Sequence, residues 1–227
     1  MTQPSALERQ DGRPRGSRTE RGERTRTRLL KAAERIFTDI GYHEASIVKI
    51  TDAAGVANGT FYLYFSGKQD IFDELVEDLN RRVRQAMSQA ASRGRTRAEA
   101  ERLGFEAFFR FTAEHPGLYR VIRQAEFVSP GALRLHYARI AESYAAGLQA
   151  AMDTGEIATG DPEVLAWALM GAGELIGLRW ILWGDDEEIP PHVYEEAMRF
   201  LLRGLGACEQ RPALRPAGLT APVPPVR

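Results

Sequence analysis

The sequence predicts an all-α protein, and three observations carry that expectation. Apolar residues recur at three- and four-residue spacing over most of the chain. Glycines and prolines cut these stripes into segments of helical length, and no stretch alternates convincingly as a half-buried strand does. A chain of 227 residues can bury a sizeable core, as one domain or as a small domain beside a larger one. Its formal net charge is −1, so it is not basic on average. The distribution is uneven: Arg9, Arg13, Arg15, Arg18, Arg21, Arg24, Arg26, Arg28 and Lys31 crowd the N-terminal end, while Asp185, Asp186, Glu187 and Glu188 lie far downstream. A face that binds a polyanion needs local positive potential, not a basic average. The single cysteine, Cys208, excludes an intramolecular disulfide framework and fits a reducing cytoplasm. No apolar run is read as membrane-spanning and the polar N-terminus as no secretory signal, so a cytoplasmic protein is expected.

Residues 1–21 are rich in Arg, Gly and Ser with almost nothing apolar, and are expected to form a disordered Arg-rich arm. The first helix is expected from Gly22 to Ile40, with Leu29, Ala33, Ile36, Phe37 and Ile40 as its buried stripe and Gly41 as its end. Ser46 is placed to cap a second helix, in which Ile47 and Ile50 share a face with Ala53 and Ala54 one turn on. Gly55 cuts that helix in the left-handed conformation, Val56 follows as a buried corner, and Asn58 to Phe65 reads as another short helix. Two short helices joined by a tight glycine turn, with alanines where they touch, form a helix-turn-helix. Phe61 and Phe65 point inward. Asn58, Thr60, Tyr62, Leu63 and Tyr64 remain on other faces, a set of hydroxyls, an amide and aromatic edges with no acidic group. Such a surface suits a duplex groove, where hydroxyls bond phosphates and an amide reads a base edge. Gly59 lets the helix start approach a phosphate chain, and Lys68 is placed as a phosphate contact. The competing reading makes YLYF the aromatic core of a small helical domain.

The run from Thr25 to Leu75, with TRTRLLKAAERIFTDIGY, ITDAAGVANGTFYLYF and GKQDIF, resembles the DNA-binding domain of the tetracycline-repressor (TetR/AcrR) family without a gap. The resemblance implies an N-terminal three-helix helix-turn-helix domain over residues 22–68. A C-terminal helical ligand-binding and dimerisation domain over 69–208 would follow, with 69–92 as its connecting helix and about nine helices in all. Carried over position by position, Ser46 matches the phosphate-binding hydroxyl and Lys68 the phosphate-binding lysine; Asn58, Gly59, Thr60, Tyr62 and Leu63 match the recognition-helix contacts. Lys49 and Tyr64 complete the expected DNA-binding set. Val48 departs from the base-reading arginine of several members, and Lys49 replaces a frequent acidic residue, so specificity is expected to lean on Asn58 and Tyr62. The N-terminal arm has two readings, a solvated tail or a segment entering the minor groove.

The fourth helix is expected from Gly67 to Ser92, with Ile71, Phe72, Leu75, Val76, Leu79, Val83 and Met87 on one side; it is the expected lever to the rest of the chain. Further helices are expected from Thr96 to Glu114, from Pro116 through GLYRVIRQAEF, and from Ser129-Pro130 to Gly155. Asp161-Pro162 opens a strongly apolar helix running to Trp183, and Pro190-Pro191 opens the last, ended by Gly206. Residues 209–227 are expected as a flexible Pro-rich tail.

The helix from Asp161 to Trp183 is apolar nearly all round, and the last helix has its own stripe, so a monomer would leave a patch exposed. The resemblance implies a two-fold four-helix interface for them, with Leu175, Leu178, Tyr194, Met198, Leu201, Leu202 and Leu205 as candidates; the other reading has both helices fill the core. It also implies a ligand pocket, for which the candidates are Phe105, Phe109, Tyr119, Arg123, Phe127, Tyr137, Trp167, Met170, Glu174 and Trp180. Arg123, Glu126, Glu174 and Arg179 interrupt apolar stretches, as structural salt bridges or as ligand anchors. His43, His115, His136 and His192 are scattered and no Gly-rich phosphate loop follows a strand, so no enzyme, metal or cofactor is expected. The expected protein is a homodimeric regulator that binds an inverted-repeat operator and is released by a small hydrophobic or aromatic effector. An effector-independent or activating regulator is the alternative; outside DNA binding, a helical small-molecule-binding protein or an enzyme.

Overall fold

The structure, a computed structural model, describes residues 15–184 and 188–207. The expected arm up to residue 14, the expected tail at 209–227, Cys208, and Asp185, Asp186 and Glu187 lie outside them. The described residues form nine α-helices and one π-helical turn, with no strand among them. These are α1 (Arg15–Glu44), α2 (Ile47–Ala54), α3 (Asn58–Phe61), α4 (Lys68–Ala91), α5 (Arg97–Glu114), α6 (Gly117–Val128), α7 (Pro130–Asp153), α8 (Pro162–Gly177), the π turn (Leu178–Leu182) and α9 (Pro191–Gly204). Contacts divide the chain into two units. The first holds residues up to Leu79 with Pro116–Arg134; the second holds Asn80–His115 with the residues from Leu135 on.

In the first unit α1 begins at Arg15, ahead of the expected Gly22, and is broken at Gly41, whose φ is 78°. A break strands backbone groups that a continuous helix would pair. The side chain of Gln124 on α6 takes two of them: its Oε1 accepts the Tyr42 N–H at 2.6 Å and its Nε2 donates to the Phe37 carbonyl at 3.1 Å. Tyr42 folds back onto Phe37 and Phe72, with ring centroids 5.7 and 5.1 Å away. Ile40, expected in the buried stripe, is exposed beside this break, and Ala32 is buried. Leu118, Tyr119, Val121, Ile122 and Ala125 make the buried face of α6, which packs along α1. This helix, expected with the ligand-binding region, is therefore part of the first unit.

The second unit is closed by α5, α8, α9 and the greater part of α7. Its termini follow the sequence signals: Thr96 accepts the Glu99 N–H at 3.2 Å to cap α5, and Asp161 accepts the Glu163 and Val164 N–H groups at 2.9 and 3.1 Å to cap α8. Phe105, Phe109, Leu148, Leu169, Met198, Leu201, Leu202 and Leu205 lie in one buried cluster. Four residues expected at a subunit interface, Met198, Leu201, Leu202 and Leu205, are thus core, and Leu178 is buried too. The reason is economy of apolar surface: α9 has one strong stripe, and the unit has its own interior to fill. Tyr194 is half-buried and donates its hydroxyl to the Arg102 carbonyl at 2.8 Å. Of the expected interface residues only Leu175 is exposed, at 66%. It lies on an outer line of α8 with Val164, Ala168 and Gly171, all exposed, and Phe200 is exposed on α9.

The expected continuous helix to Trp183 ends differently, in the π turn, where the Trp183 N–H donates to the Leu178 carbonyl at 3.0 Å. By length and composition alone Pro162–Leu182 is apolar enough to cross a membrane, which corrects the expectation that no such segment exists. Glu163, Glu174 and Arg179 interrupt the run, while Ala166, Leu169, Gly173, Gly177 and Leu178 are buried within the unit.

Candidate nucleic-acid interface and ligand cavity

Each end of α2 is fixed by a local device. The Ser46 hydroxyl accepts the Lys49 N–H at 3.2 Å. Gly55 turns the chain with φ 63° and ψ 43°, donating to the Asp52 carbonyl at 3.0 Å, and the Val56 N–H reaches the Thr51 carbonyl at 3.0 Å. Arg28 of α1 then donates to the carbonyls of Ala54 and Gly55, groups that a helix end leaves open. Its guanidinium thereby holds the turn.

The helical part of α3 is shorter than the expected Asn58–Phe65, but its winding continues beyond Phe61. The Tyr64 and Phe65 N–H groups both donate to the Phe61 carbonyl, at 2.9 and 3.1 Å. Phe61 and Phe65 are buried with ring centroids 5.5 Å apart, as expected, and Val56 is half-buried. This anchoring turns the rest of the segment outward. Leu63 is 78% exposed and Tyr62 57% exposed, beside exposed Asn58, Gly59 and Val48. A Cβ added at Gly59 would meet no atom within 4 Å. Thr60 and Tyr64 are half-buried. Lys49 is exposed, its ammonium donating to the Glu44 carbonyl at 2.9 Å.

Lys68 sits differently from its expected role. Its ammonium donates to the Tyr42 and Ala45 carbonyls at 2.8 and 2.9 Å and lies 4.3 Å from the centroid of the Tyr42 ring. Those protons close the carbonyls after the α1 break and leave little for a phosphate. Sequence reasoning missed Lys68, Arg28 and Gln124 as structural staples, because their acceptors are stranded carbonyls elsewhere in the chain.

In the second unit a cavity of about 360 Å³ opens among α4, α5 and α7, with Arg84, Met87, Glu101, Phe105, Ile140 and Tyr144 on its wall. Of the ten expected pocket residues only Phe105 lines it. Phe109 belongs to the core beneath. Tyr119, Arg123 and Phe127 ride on α6 in the first unit, where Tyr119 is buried and Phe127 is 82% exposed. The Tyr137 hydroxyl bonds both carboxylate oxygens of Glu174 at 2.9 and 3.0 Å, and its ring packs against Trp167 at 5.9 Å. Met170 is half-buried, as is Trp180, which lies under the Arg179 guanidinium at 5.4 Å. Arg123, Glu126 and Arg179, expected as buried charges, are exposed.

The buried carboxylate is Glu101, 4% exposed, paired with Arg97 one turn earlier and accepting the Tyr144 hydroxyl. Burial, reinforced by the Glu101 charge, holds the Tyr144 hydroxyl well above the ordinary phenol range. Beside it Asn80 joins α4 to α7: its Nδ2 donates to Nδ1 and to the carbonyl of His136, at 3.1 and 2.9 Å, and its Oδ1 accepts the Arg84 Nε–H at 3.0 Å. Burial, then the nearby Arg84 charge, lowers His136 to about 4, so the ring is neutral near pH 7. No group of three metal-ligating side chains occurs among the described residues.

Comparison with known proteins gives the same outline. Residues 29–75 match the family described as bacterial regulatory proteins, tetR family. The uncharacterized HTH-type transcriptional regulator YdgC of Bacillus subtilis is 30% identical over 190 residues, which are 82% of this chain and 94% of that protein. The HTH-type transcriptional activator FasR of Mycolicibacterium smegmatis is 37% identical over 123 residues, 52% of this chain and 53% of FasR. Among solved structures, FadR from Bacillus subtilis in complex with stearoyl-CoA superposes with a TM-score of 0.69 at 23% identity, covering 78% of this chain and 98% of that one; this likeness is one of fold.

Proposed function

Because the chain belongs to the tetR family of bacterial transcriptional regulators, we propose that it is a homodimeric, ligand-responsive repressor that reads an inverted-repeat operator. One observation carries the reading: buried Phe61 and Phe65 hold a segment that leaves Asn58, Tyr62 and Leu63 exposed to solvent. Asn58 offers an amide to a base edge, Leu63 an apolar contact for a thymine methyl, and Tyr62, Tyr64, Thr60 and Ser46 hydroxyls for phosphate. Lys49 adds charge, and Gly59 permits close approach. Lys68 serves by holding the fold behind them.

A two-fold operator requires two such segments about 34–36 Å apart, hence a dimer. The exposed line Val164, Ala168, Gly171 and Leu175, with Phe200 near it in character, is the dimer face we assign. The effector occupies the cavity beside Phe105; its largely apolar wall, and the stearoyl-CoA held by FadR, support a molecule with a hydrophobic body. The effector shifts a two-state equilibrium only by its differential affinity, so operator and effector weaken each other by the same factor. FasR is an activator, which supports a second reading in which promoter position sets the sign of regulation. The setting is the cytoplasm, where the operator lies, and no catalysis is assigned.

The test is selection of genomic fragments by the purified protein, followed by titration of the selected site with the wild type and with Tyr62→Ala. An inverted repeat bound tightly by the first and at least tenfold more weakly by the second is expected. No preference for any inverted repeat at moderate salt would end this reading.

A further inference from the structure

Two guanidinium groups stand on the cavity wall, and they are not equivalent. Arg97 is neutralised by Glu101. Arg84 is half-buried, and among the described residues its one hydrogen bond is the one its Nε donates to Asn80. No carboxylate there pairs with it. A charge held at an apolar wall without a counterion is costly, and the cost is relieved when an anion arrives. The side chain is also tethered. Asn80 is buried and spends its Nδ2 on His136, so its Oδ1 fixes the Nε side of Arg84, while Met87, Phe105 and Ile140 supply the apolar wall. Ser88 and Ser143 add hydroxyls to that wall.

We propose that the cavity takes an apolar molecule ended by an anionic group, a carboxylate or a phosphate, with the anion on the terminal nitrogens of Arg84. This deepens the effector assignment above and rests on it. The geometry separates the two parts of such a ligand: the tail lies against the apolar side chains, and the head meets a planar fork suited to a two-oxygen anion.

The experiment titrates the purified full chain calorimetrically with four probes of one tail length, each below its aggregation concentration: decanoate, decyl phosphate, decanol and decylammonium. The two anions are expected to bind at least about tenfold more tightly than decanol, with decylammonium weakest. Arg84→Met is expected to bring the anions down to the level of decanol while leaving decanol unchanged, with circular dichroism confirming the fold. The order of decanoate and decyl phosphate tells a carboxylate head from a phosphate head. Equal binding of decanol and the anions to the wild type, binding of none of the four, or a preference that survives in Arg84→Met would each overturn the proposal. If the variant does not fold, the wild-type comparison decides. Operator titrations on the same samples keep the two readings apart. Release by every bound probe regardless of head removes the Arg84 assignment and leaves ligand response standing. Anion-selective binding that leaves operator affinity untouched does the reverse.

Discussion

Gly59 has no packing reason to be glycine. Its backbone is not left-handed, and an added Cβ would enter open space. Alanine there is expected to leave stability unchanged or raise it by about 0.4–1 kcal/mol through the unfolded chain, yet to lower operator affinity at least tenfold. Thermal unfolding and an operator titration of Gly59→Ala check both halves; a variant that lost stability would show a role in folding instead. His136 gives a prediction of the opposite kind, visible in stability alone. Its imidazole is held near 4 in the folded chain and returns to 6.5 on unfolding. Between those values the unfolded chain binds more protons, so stability falls as pH drops from 6.5, by about 3 kcal/mol at the limit. Urea unfolding of His136→Gln is expected to show a flatter slope than the wild type across roughly pH 5 to 6.5. Identical slopes would remove His136 as the source. At this scale the sequence was legible wherever a residue's partner is its near neighbour: the Ser46 cap, the Gly55 turn, the paired Phe61 and Phe65. The carbonyl contacts of Lys68 were not legible, because a basic residue beside a helix-turn-helix looks the same whether it serves DNA or stranded carbonyls.

Helix α1 shows what a single break demands of a neighbouring element. Gly41 interrupts the backbone ladder, and Gln124 on α6 replaces two of the lost bonds. Gln124→Leu keeps the bulk but leaves the Tyr42 N–H and the Phe37 carbonyl without that amide. A loss of about 1–3 kcal/mol in unfolding free energy is expected. A denaturation midpoint equal to the wild type would mean that other groups meet the need. The helices themselves were readable, since Thr96, Asp161 and Gly155 mark ends with local chemistry. The side each helix turns inward was less so. The sequence assigned α6 to a ligand pocket because it is rich in aromatic and charged residues, but α1 claims its buried face. On α5 both Phe105 and Phe109 were pocket candidates; both belong to the buried core cluster, and Phe105 alone of the two also lines the cavity.

For the whole molecule, an apolar stripe announces that a helix is covered without saying by what. Met198, Leu201, Leu202 and Leu205 looked like surface for a second copy and proved to be interior, while the outer line of α8 carries the exposed apolar groups. Leu175→Glu is therefore expected to yield a folded monomer at micromolar concentration in sedimentation, whereas Met198→Glu is expected to unfold the chain. A dimeric Leu175→Glu protein would place the two-fold contact elsewhere. The π turn bears on the reach of that outer line. In an unbroken α-helix, Leu182 would follow eighteen residues after Val164, five whole turns on, directly above it. The extra residue wound into Leu178–Leu182 hands that azimuth to Trp183, which is 64% exposed while Leu182 is half-buried. One supernumerary amino acid thus substitutes an indole for an isobutyl group at the end of the ridge; rewinding the turn as α-helix with every residue kept would rotate Trp183 off the ridge by about 100°, whereas deleting one residue there would leave it in place.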